Sequence, residues 1–313
     1  MKHKGSIYTV DADRDGQRID NFLFARLKGV PKGLIYRLIR TGKIRVNCKR
    51  VKQTYRLEEG DEVKIPQIDA TESATPTISE TIKQQIDASI IYEDDNILAI
   101  NKPAGFAVHP GSKIRYGVIE VMRALRPKAA YLELVHRLDR ETSGCLLIAK
   151  NKRSLNALHD LMRDNNVNKI GVQKSYFALV KGEWDLGEKV VDLPLQTKGS
   201  NSQVDEHMNR WKNALTVFRP IQYFKNFTLL NAHIKTGRTH QIRLHAAQIG
   251  FPIVGDSKHG DFVFNRECKK MGFKRMFLHA AEFSFQLPNS DQRTIIQAPM
   301  SNELKGFIEG LDS

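Results

Sequence analysis

VHRLDRETSGCLLIAKN, residues 135–151, changes texture halfway along. Its first half is charged and polar, with Asp139 between Arg137 and Arg140 and ahead of Glu141. Thr142, Ser143 and Gly144 then lead into an apolar run of strand length, Cys145 to Ala149. Small residues feeding a buried strand put Asp139 in a loop at that strand's start. Loops fixed by a rigid scaffold carry chemistry disproportionately often. From these residues alone, the commoner reading of Asp139 is a loop carboxylate paired with its neighbouring arginines.

The strand texture recurs on both sides. IIYEDDNILAINKP (90–103), SYFALVKGEW (175–184), ALTVFRPI (214–221) and FTLLNAHI (227–234) are apolar or alternating runs bounded by turn residues. Helical patterns separate them at VIEVMRALR (118–126), SLNALHDLMRDNN (154–166) and THQIRLHAAQIG (239–250). Many strands with a few interspersed helices predict an α+β domain on a mainly antiparallel sheet, from residue 90 to 313. In the last helix Thr239 is a natural N-cap and Gly250 a natural stop. His240 and Arg243 share one face of it. His240 and His245 invite a metal reading, but a spacing of five fits a helix face poorly, so positioning or core histidines are the commoner reading. On 175–184, Tyr176 alternates with Ala178 and Val180. It is either a core aromatic or a ring that stacks on a base.

The front of the chain is different. Ile19, Phe22, Leu23 and Leu27, then Leu34, Ile35, Leu38 and Ile39, recur at helical spacing on either side of Gly29-Val30-Pro31. KIRVN and GDEVKI follow as short strands. Eleven Lys or Arg residues and no Asp or Glu lie between Arg26 and Arg56. Among them Lys32, Arg37, Arg40, Lys43, Arg45, Lys49 and Arg50 fall between or just after the apolar positions, so the cations face outward while the apolar stripe faces a small core. Over the whole chain of 313 residues the net charge is +14. Such a surface draws polyanions through phosphate neutralisation and counterion release. Residues 66–89, rich in Thr, Ser, Ile, Gln and Asp, read as a linker with at most one short helix.

Several classes drop out. The three cysteines, Cys48, Cys145 and Cys268, are far apart, with no CxxC pair. A P-loop, a GxGxxG and an HExxH are all missing, so no nucleotide cofactor and no metal are expected. No apolar run approaches the roughly 18 residues of a membrane helix. The first residues hold no signal-peptide core. A cytoplasmic protein is expected.

Two resemblances give these patterns a direction. Residues 18–65, with RIDNFL, then G-x-I-x-V-N at 42–47 and G-D-x-V at 60–63, resemble an S4 RNA-binding domain, here spanning 1–65. HRLDRETSG (136–144), LAINKPAGFAVHP (98–110), KSYFALVKG (174–182), TGRTHQIRLH (236–245) and FLHAAEFSF (277–285) resemble the motifs of RluA-type pseudouridine synthases. The resemblance implies isomerisation of uridine to pseudouridine without a cofactor, in large-subunit (23S) ribosomal RNA or an assembly intermediate, by a monomer. It gives Asp139 the catalytic position, Tyr176 the position packing on the base, Arg243 the position pairing with the aspartate, and Arg137 that of base flipping. Arg238 is the second candidate for that pairing, and His136 and His240 are supporting residues. Phe251 and His259 stand where relatives often have His and Tyr, and both are expected outside the catalytic motif. Two rivals stay open: a non-catalytic ribosome-associated RNA binder and a glycosidase-like nucleoside hydrolase, which would usually need paired carboxylates.

Overall fold

The computed structural model describes residues 2–27, 30, 32–69, 78–110, 116–163, 171–197, 210–287 and 292–311, with no side chain described at Lys2, Lys32, Asp69, Thr197 or Arg210. The chain divides into two compact units, Met1–Thr77 and Ile78–Ser313.

The first unit holds β1 (Lys2–His3), β2 (Ser6–Thr9), α1 (Ile19–Arg26), α2 (Lys32–Arg40), β3 (Arg45–Val46), β4 (Glu62–Ile65) and β5 (Ile68–Asp69). The apolar positions read as helical stripes form its core, where Ile19, Phe22, Leu23 and Ile35 are fully buried beside Ile44, Leu57 and Val63. β2, β4 and β3 make an antiparallel sheet in that order. Its turns explain two of the motifs. Asp61 of G-D-x-V is buried and accepts from Asn47 Nδ2 (2.7 Å), the Tyr55 hydroxyl (3.0 Å) and the Glu58 amide (2.9 Å). Asn47 closes V-N by accepting the Glu62 amide at 2.8 Å. A short polar side chain is required there because Asn47 stands at φ 48°, a left-handed conformation that Asn tolerates.

The second unit holds α3 (Glu80–Asp87), β6 (Ile90–Glu93), β7 (Ile97–Lys102), α4 (Val118–Leu125), β8 (Glu133–Leu134), β9 (Ser143–Ala149), α5 (Lys152–Arg163), β10 (Gln173–Lys181), β11 (Lys189–Asp192), β12 (Leu195–Thr197), β13 (Arg210–Lys212), β14 (Leu215–Phe224), β15 (Phe227–Ile234), α6 (Gln241–Gln248), α7 (Phe262–Lys270), β16 (Leu278–Phe285), β17 (Thr294–Gln297) and α8 (Asn302–Glu309). A ten-stranded sheet runs β11-β14-β15-β10-β16-β9-β7-β6, with β17 on β16 and β8 on β9. Every pairing in it is antiparallel except β16 with β9. Both faces are covered. Leu146 and Ile148 of β9 point to the face packed by α3, α4 and α6, whereas Cys145, Leu147 and Ala149 point to the face packed by α5. Tyr176, Ala178 and Val180 share the first of these faces, while Leu179 lies in the core of α7 and α8. The period of two thus sorts side chains between two cores.

The stretch read as a linker is not uniform. Residues 70–77 lie outside the described residues. From Ile78 onward the chain belongs to the second unit, where α3 is capped by Ser79 and Ile86 is fully buried. α3 is the one short helix that the composition allowed, with Glu80, Thr81, Gln84, Gln85 and Asp87 on its exposed side.

Candidate active site

Asp139 lies in a cleft of about 380 Å³, lined also by Arg137, Lys174, Tyr176, Arg238, His240 and Arg243. The loop that carries it is fastened at several points. The Thr142 amide donates to the Asp139 carbonyl at 3.2 Å, closing a turn. Ser143 and Gly144 then pair in parallel with His279 and Ala280 of β16. Gly144 stands at φ 110°, and a Cβ there would collide with the Ala280 backbone, so the motif's glycine is fixed by a close approach of two strands. The Ser143 hydroxyl lies 2.9 Å from His279 Nδ1 and accepts from Arg275 at 2.7 Å. Burial lowers the His279 pKa to about 4.

Lys102, the last residue of β7, locks the other side of the loop. Its fully buried ammonium donates to the carbonyls of Pro103 (2.9 Å), Phe106 (2.9 Å) and Arg140 (3.1 Å). Burial brings its pKa down to about 7. Arg140 in turn donates to the Gly105 carbonyl at 2.9 Å and lies 3.5 Å from Glu141. It does not pair with Asp139.

The partner of Asp139 is Arg243, whose Nη1 donates to Oδ2 at 3.1 Å. Arg243 is also held bidentately by Asp256, through Nε to Oδ2 and Nη2 to Oδ1, both at 2.7 Å. Only 8% of its side chain is exposed, against 20% for Asp139 and 1% for Asp256. Burial acts to lower the pKa of Arg243, but the bonds and charges of Asp256 and then Asp139 hold it above the ordinary value. Burial likewise acts to raise the pKa of Asp256. Arg243, with the amides of Lys258 and His259, outweighs it and keeps the carboxyl below its usual range. The guanidinium is therefore a fixed fork that steers one oxygen of Asp139. Oδ1 has no partner among the described residues.

The α6 helix begins one residue later than its sequence suggests. Thr239 is not the N-cap; His240 occupies that place at φ 56°, and Gln241 accepts the Arg238 amide (3.1 Å) and the Thr236 hydroxyl (2.7 Å). The left-handed turn aims the His240 ring into the cleft, with Nε2 3.7 Å from Asp139 Oδ2. Nδ1 lies 2.9 Å from Nε2 of His259. His259 touches His240 and, among the described residues, makes no hydrogen bond or ion pair to the motif at 136–144. Burial keeps both histidines below their ordinary pKa. The tautomer in which His259 donates to Nδ1 would turn an N–H of His240 rather than a lone pair toward the carboxylate. His245 is a core residue, fully buried between Thr216 Oγ1 (2.9 Å) and the Leu193 carbonyl (3.0 Å). Among the described residues no group of three His, Cys, Asp or Glu could hold a metal.

Tyr176 is 7% exposed, and burial raises its phenol pKa, so a phenolate is not available at neutral pH. His136 stacks on Phe283 (centroids 4.9 Å apart) and accepts the Leu147 amide at 3.2 Å. Burial, with the charge of Lys174, drives its pKa down to about 3, so it is a neutral anchor beneath the loop. Arg137 is exposed at the cleft. Arg238 donates to the Asn213 carbonyl at 3.1 Å rather than to Asp139.

In the first unit Arg37, Arg40, Lys43, Arg45, Lys49 and Arg50 are all exposed, and none forms an ion pair among the described residues. The side chain of Lys32 lies outside the described residues. Arg26 is turned inward, over the rings of Tyr8 (4.4 Å) and Phe22 (4.7 Å), so not every cation of the run faces solvent.

Sequence reasoning missed Asp256, Lys102 and Lys174. Asp256 stands in VGDSKHG, whose Gly-Asp turn was the available signal. The two lysines stand inside quoted motifs, where only burial distinguishes them from surface cations.

Comparison with known proteins agrees with this geometry. The profile described as RNA pseudouridylate synthase matches residues 96–248, and that of the S4 domain matches residues 17–63. The chain is 44% identical to "Ribosomal large subunit pseudouridine synthase C" of Salmonella typhi over 313 residues, covering 98% of this chain and 97% of that one. It is 45% identical to the protein of the same name from Vibrio parahaemolyticus, covering 96% and 95%. Among solved structures, human RNA Pseudouridylate Synthase Domain Containing 4 superposes with a TM-score of 0.59 at 25% identity, over 74% of this chain and 96% of that one. The chain therefore belongs to the RNA pseudouridylate synthase family, as an isomerase that carries an S4 domain ahead of its catalytic domain.

Proposed function

We propose that the chain converts specific uridines of large-subunit (23S) ribosomal RNA, free or in an assembly intermediate, into pseudouridine, with Asp139 as the catalytic carboxylate. The domains carrying this division of labour are the S4 region, residues 1–65, and the catalytic region from residue 90 onward. The observation that carries the reading is the triad Asp139–Arg243–Asp256 in a cleft shared with Tyr176.

The isomerisation breaks N1–C1′ and forms C5–C1′, so the base must detach, turn and reattach without leaving. A uridine in folded RNA must first leave its stack, at a cost of a few kcal/mol. Arg137, exposed at the cleft, fills the vacated space, while Tyr176 packs on the flipped uracil. Because its phenol stays neutral, Tyr176 acts through its ring. Arg243 and His240 hold Oδ2 of Asp139 in register, leaving Oδ1 for the sugar or base. His136 and Arg238 support the loops on either side.

The rival hydrolase needs a second working carboxylate. Glu141 lies 3.5 Å from Arg140, and Asp256, tied to Asp139 through Arg243, is spent on that guanidinium and two amides. The rival pure binder has no use for a carboxylate among phosphates. Exposed cations without ion pairs on the S4 unit supply affinity through backbone and shape. Carbodiimide labelling with primer extension tests the reading: ribosomal RNA from cells lacking the protein loses specific stops, and the Asp139→Asn variant fails to restore them. Restoration by that variant, or release of free uracil, overturns it.

A further inference from the structure

One cation of the cleft has no role in the chemistry above. Lys174 lies two residues before Tyr176 on β10, on the same strand face, and lines the cleft with Asp139. Its ammonium meets Met162 Sδ at 3.4 Å and stands 5.4 Å from the centroid of the Phe283 ring. A thioether is a weak acceptor, and a ring face attracts a cation only modestly. No carboxylate pairs with Lys174 among the described residues. His136, stacked on the same ring, is neutral and adds no negative charge.

The neighbouring cations are served differently. Arg243 has two carboxylates, Lys102 three carbonyls, Arg238 one carbonyl, and Arg137 has water. Lys174, half-buried, has only soft, uncharged partners among the described residues. Burial also lowers its pKa, to about 8.

We propose that Lys174 is a binding site for a phosphodiester oxygen of the RNA strand that carries the target uridine. The inference rests on the reading of the chain as an RNA pseudouridine synthase. A desolvated ammonium needs a full countercharge, and uracil, neutral at pH 7, offers dipoles only. Lys102 shows that dipoles suffice in this protein when three of them converge. A flipped nucleotide brings one phosphate on each side of its sugar into the cleft. That phosphate approaches the carboxylate of Asp139, and Lys174 offsets the repulsion from the opposite wall.

The test uses the full chain, a large-subunit ribosomal RNA transcript, and the variants Lys174→Met and Lys174→Gln. Methionine matches the length of the lysine stem and suits Met162 and Phe283. We expect Lys174→Met to unfold at the same or a higher temperature. RNA affinity should fall several-fold at low salt, with the log–log salt slope reduced by roughly 0.7–0.9, as for one lost phosphate contact. The single-turnover rate at saturating RNA should change far less. A folded variant with unchanged affinity and slope overturns the proposal. So does a loss confined to the rate at saturating RNA, which would make the lysine a proton acceptor instead. If Lys174→Met does not fold, the same quantities are read from Lys174→Gln. Binding and slope need no turnover, so they decide the role of Lys174 separately. Failure of the unaltered chain to form pseudouridine in any ribosomal RNA would count against the function proposed above instead.

Discussion

The two units treat charge in opposite ways. In the S4 unit Arg37, Arg40 and the cations of the turn after α2 stand in water without ion pairs among the described residues, each independent of the next. At the centre of the catalytic cleft charged groups are withdrawn from water and answer to one another: Asp139 to Arg243, Arg243 to Asp256, Asp256 to the amides beside His259. Exposed charges act additively and at long range, subject to salt screening. Buried ones act as a unit, and removing one partner strands the other. The S4 surface therefore suits affinity for a polyanion of many shapes, and the cleft suits one reaction.

Substitutions that respect or cross this division should differ in size and kind. The largest effect belongs to Asp139→Asn, which should abolish pseudouridine formation while RNA affinity stays within a few-fold. Full turnover by this variant would remove the cleft from the chemistry altogether. Next, Arg243→Met leaves two carboxylates face to face without their cation. A penalty on the order of 3–5 kcal/mol is expected, visible both as a lowered melting temperature and as lost activity. A merely local loss, with stability unchanged, would mean that the cleft is less interlocked than its hydrogen bonds indicate.

Acid should distinguish the units next. His279 is neutral in the folded state down to about pH 4, whereas the unfolded chain takes up its proton near 6.5. The unfolded state therefore binds more protons between these values, and stability is complete above pH 6.5 and lost as pH falls toward 4. The loss is on the order of 3 kcal/mol for this residue. Thermal melts between pH 7 and 4 check it, and His279→Gln should flatten the decline. Then Arg37, Arg40 and Lys43 changed together to Gln should leave the melting temperature alone and lower the salt slope of RNA binding by roughly 0.7–0.9 per cation. Turnover at saturating RNA should change little. The smallest effect is expected from Tyr176→Phe, which keeps the ring and removes a hydroxyl that stays neutral. Activity within a few-fold of the unaltered chain supports stacking, and a loss of two orders of magnitude would restore the hydroxyl as a participant.

What the sequence disclosed follows the same division. The S4 unit was legible because its core and its cations alternate over short distances, as Leu38 and Ile39 do with Arg37 and Arg40. Asp139 stood out through its small-residue turn and buried strand. Its pairing with Arg243, 104 positions away, came from a resemblance and not from spacing. Asp256 escaped because nothing periodic links a Gly-Asp turn to a helix 13 residues earlier. Lys102 and Lys174 looked like ordinary strand-end cations, since burial on a sheet face is set by strands that join from elsewhere. The start of α6 was misplaced for a local reason: a histidine took the left-handed conformation, and a glutamine supplied the bonds expected of a threonine.

The parallel contact of Ser143 and Gly144 with His279 and Ala280 joins positions about 136 residues apart. On a ribosome making this chain, the S4 unit, whose core residues lie between Val10 and Ile68, is synthesised long before that contact can form. The loop bearing Asp139 is synthesised early but lacks its fastening to β16 until that strand emerges. The nascent chain is thus an RNA binder first and an enzyme only near its end, and a message truncated before codon 278 would yield an RNA-binding product without the strand that fixes its catalytic loop.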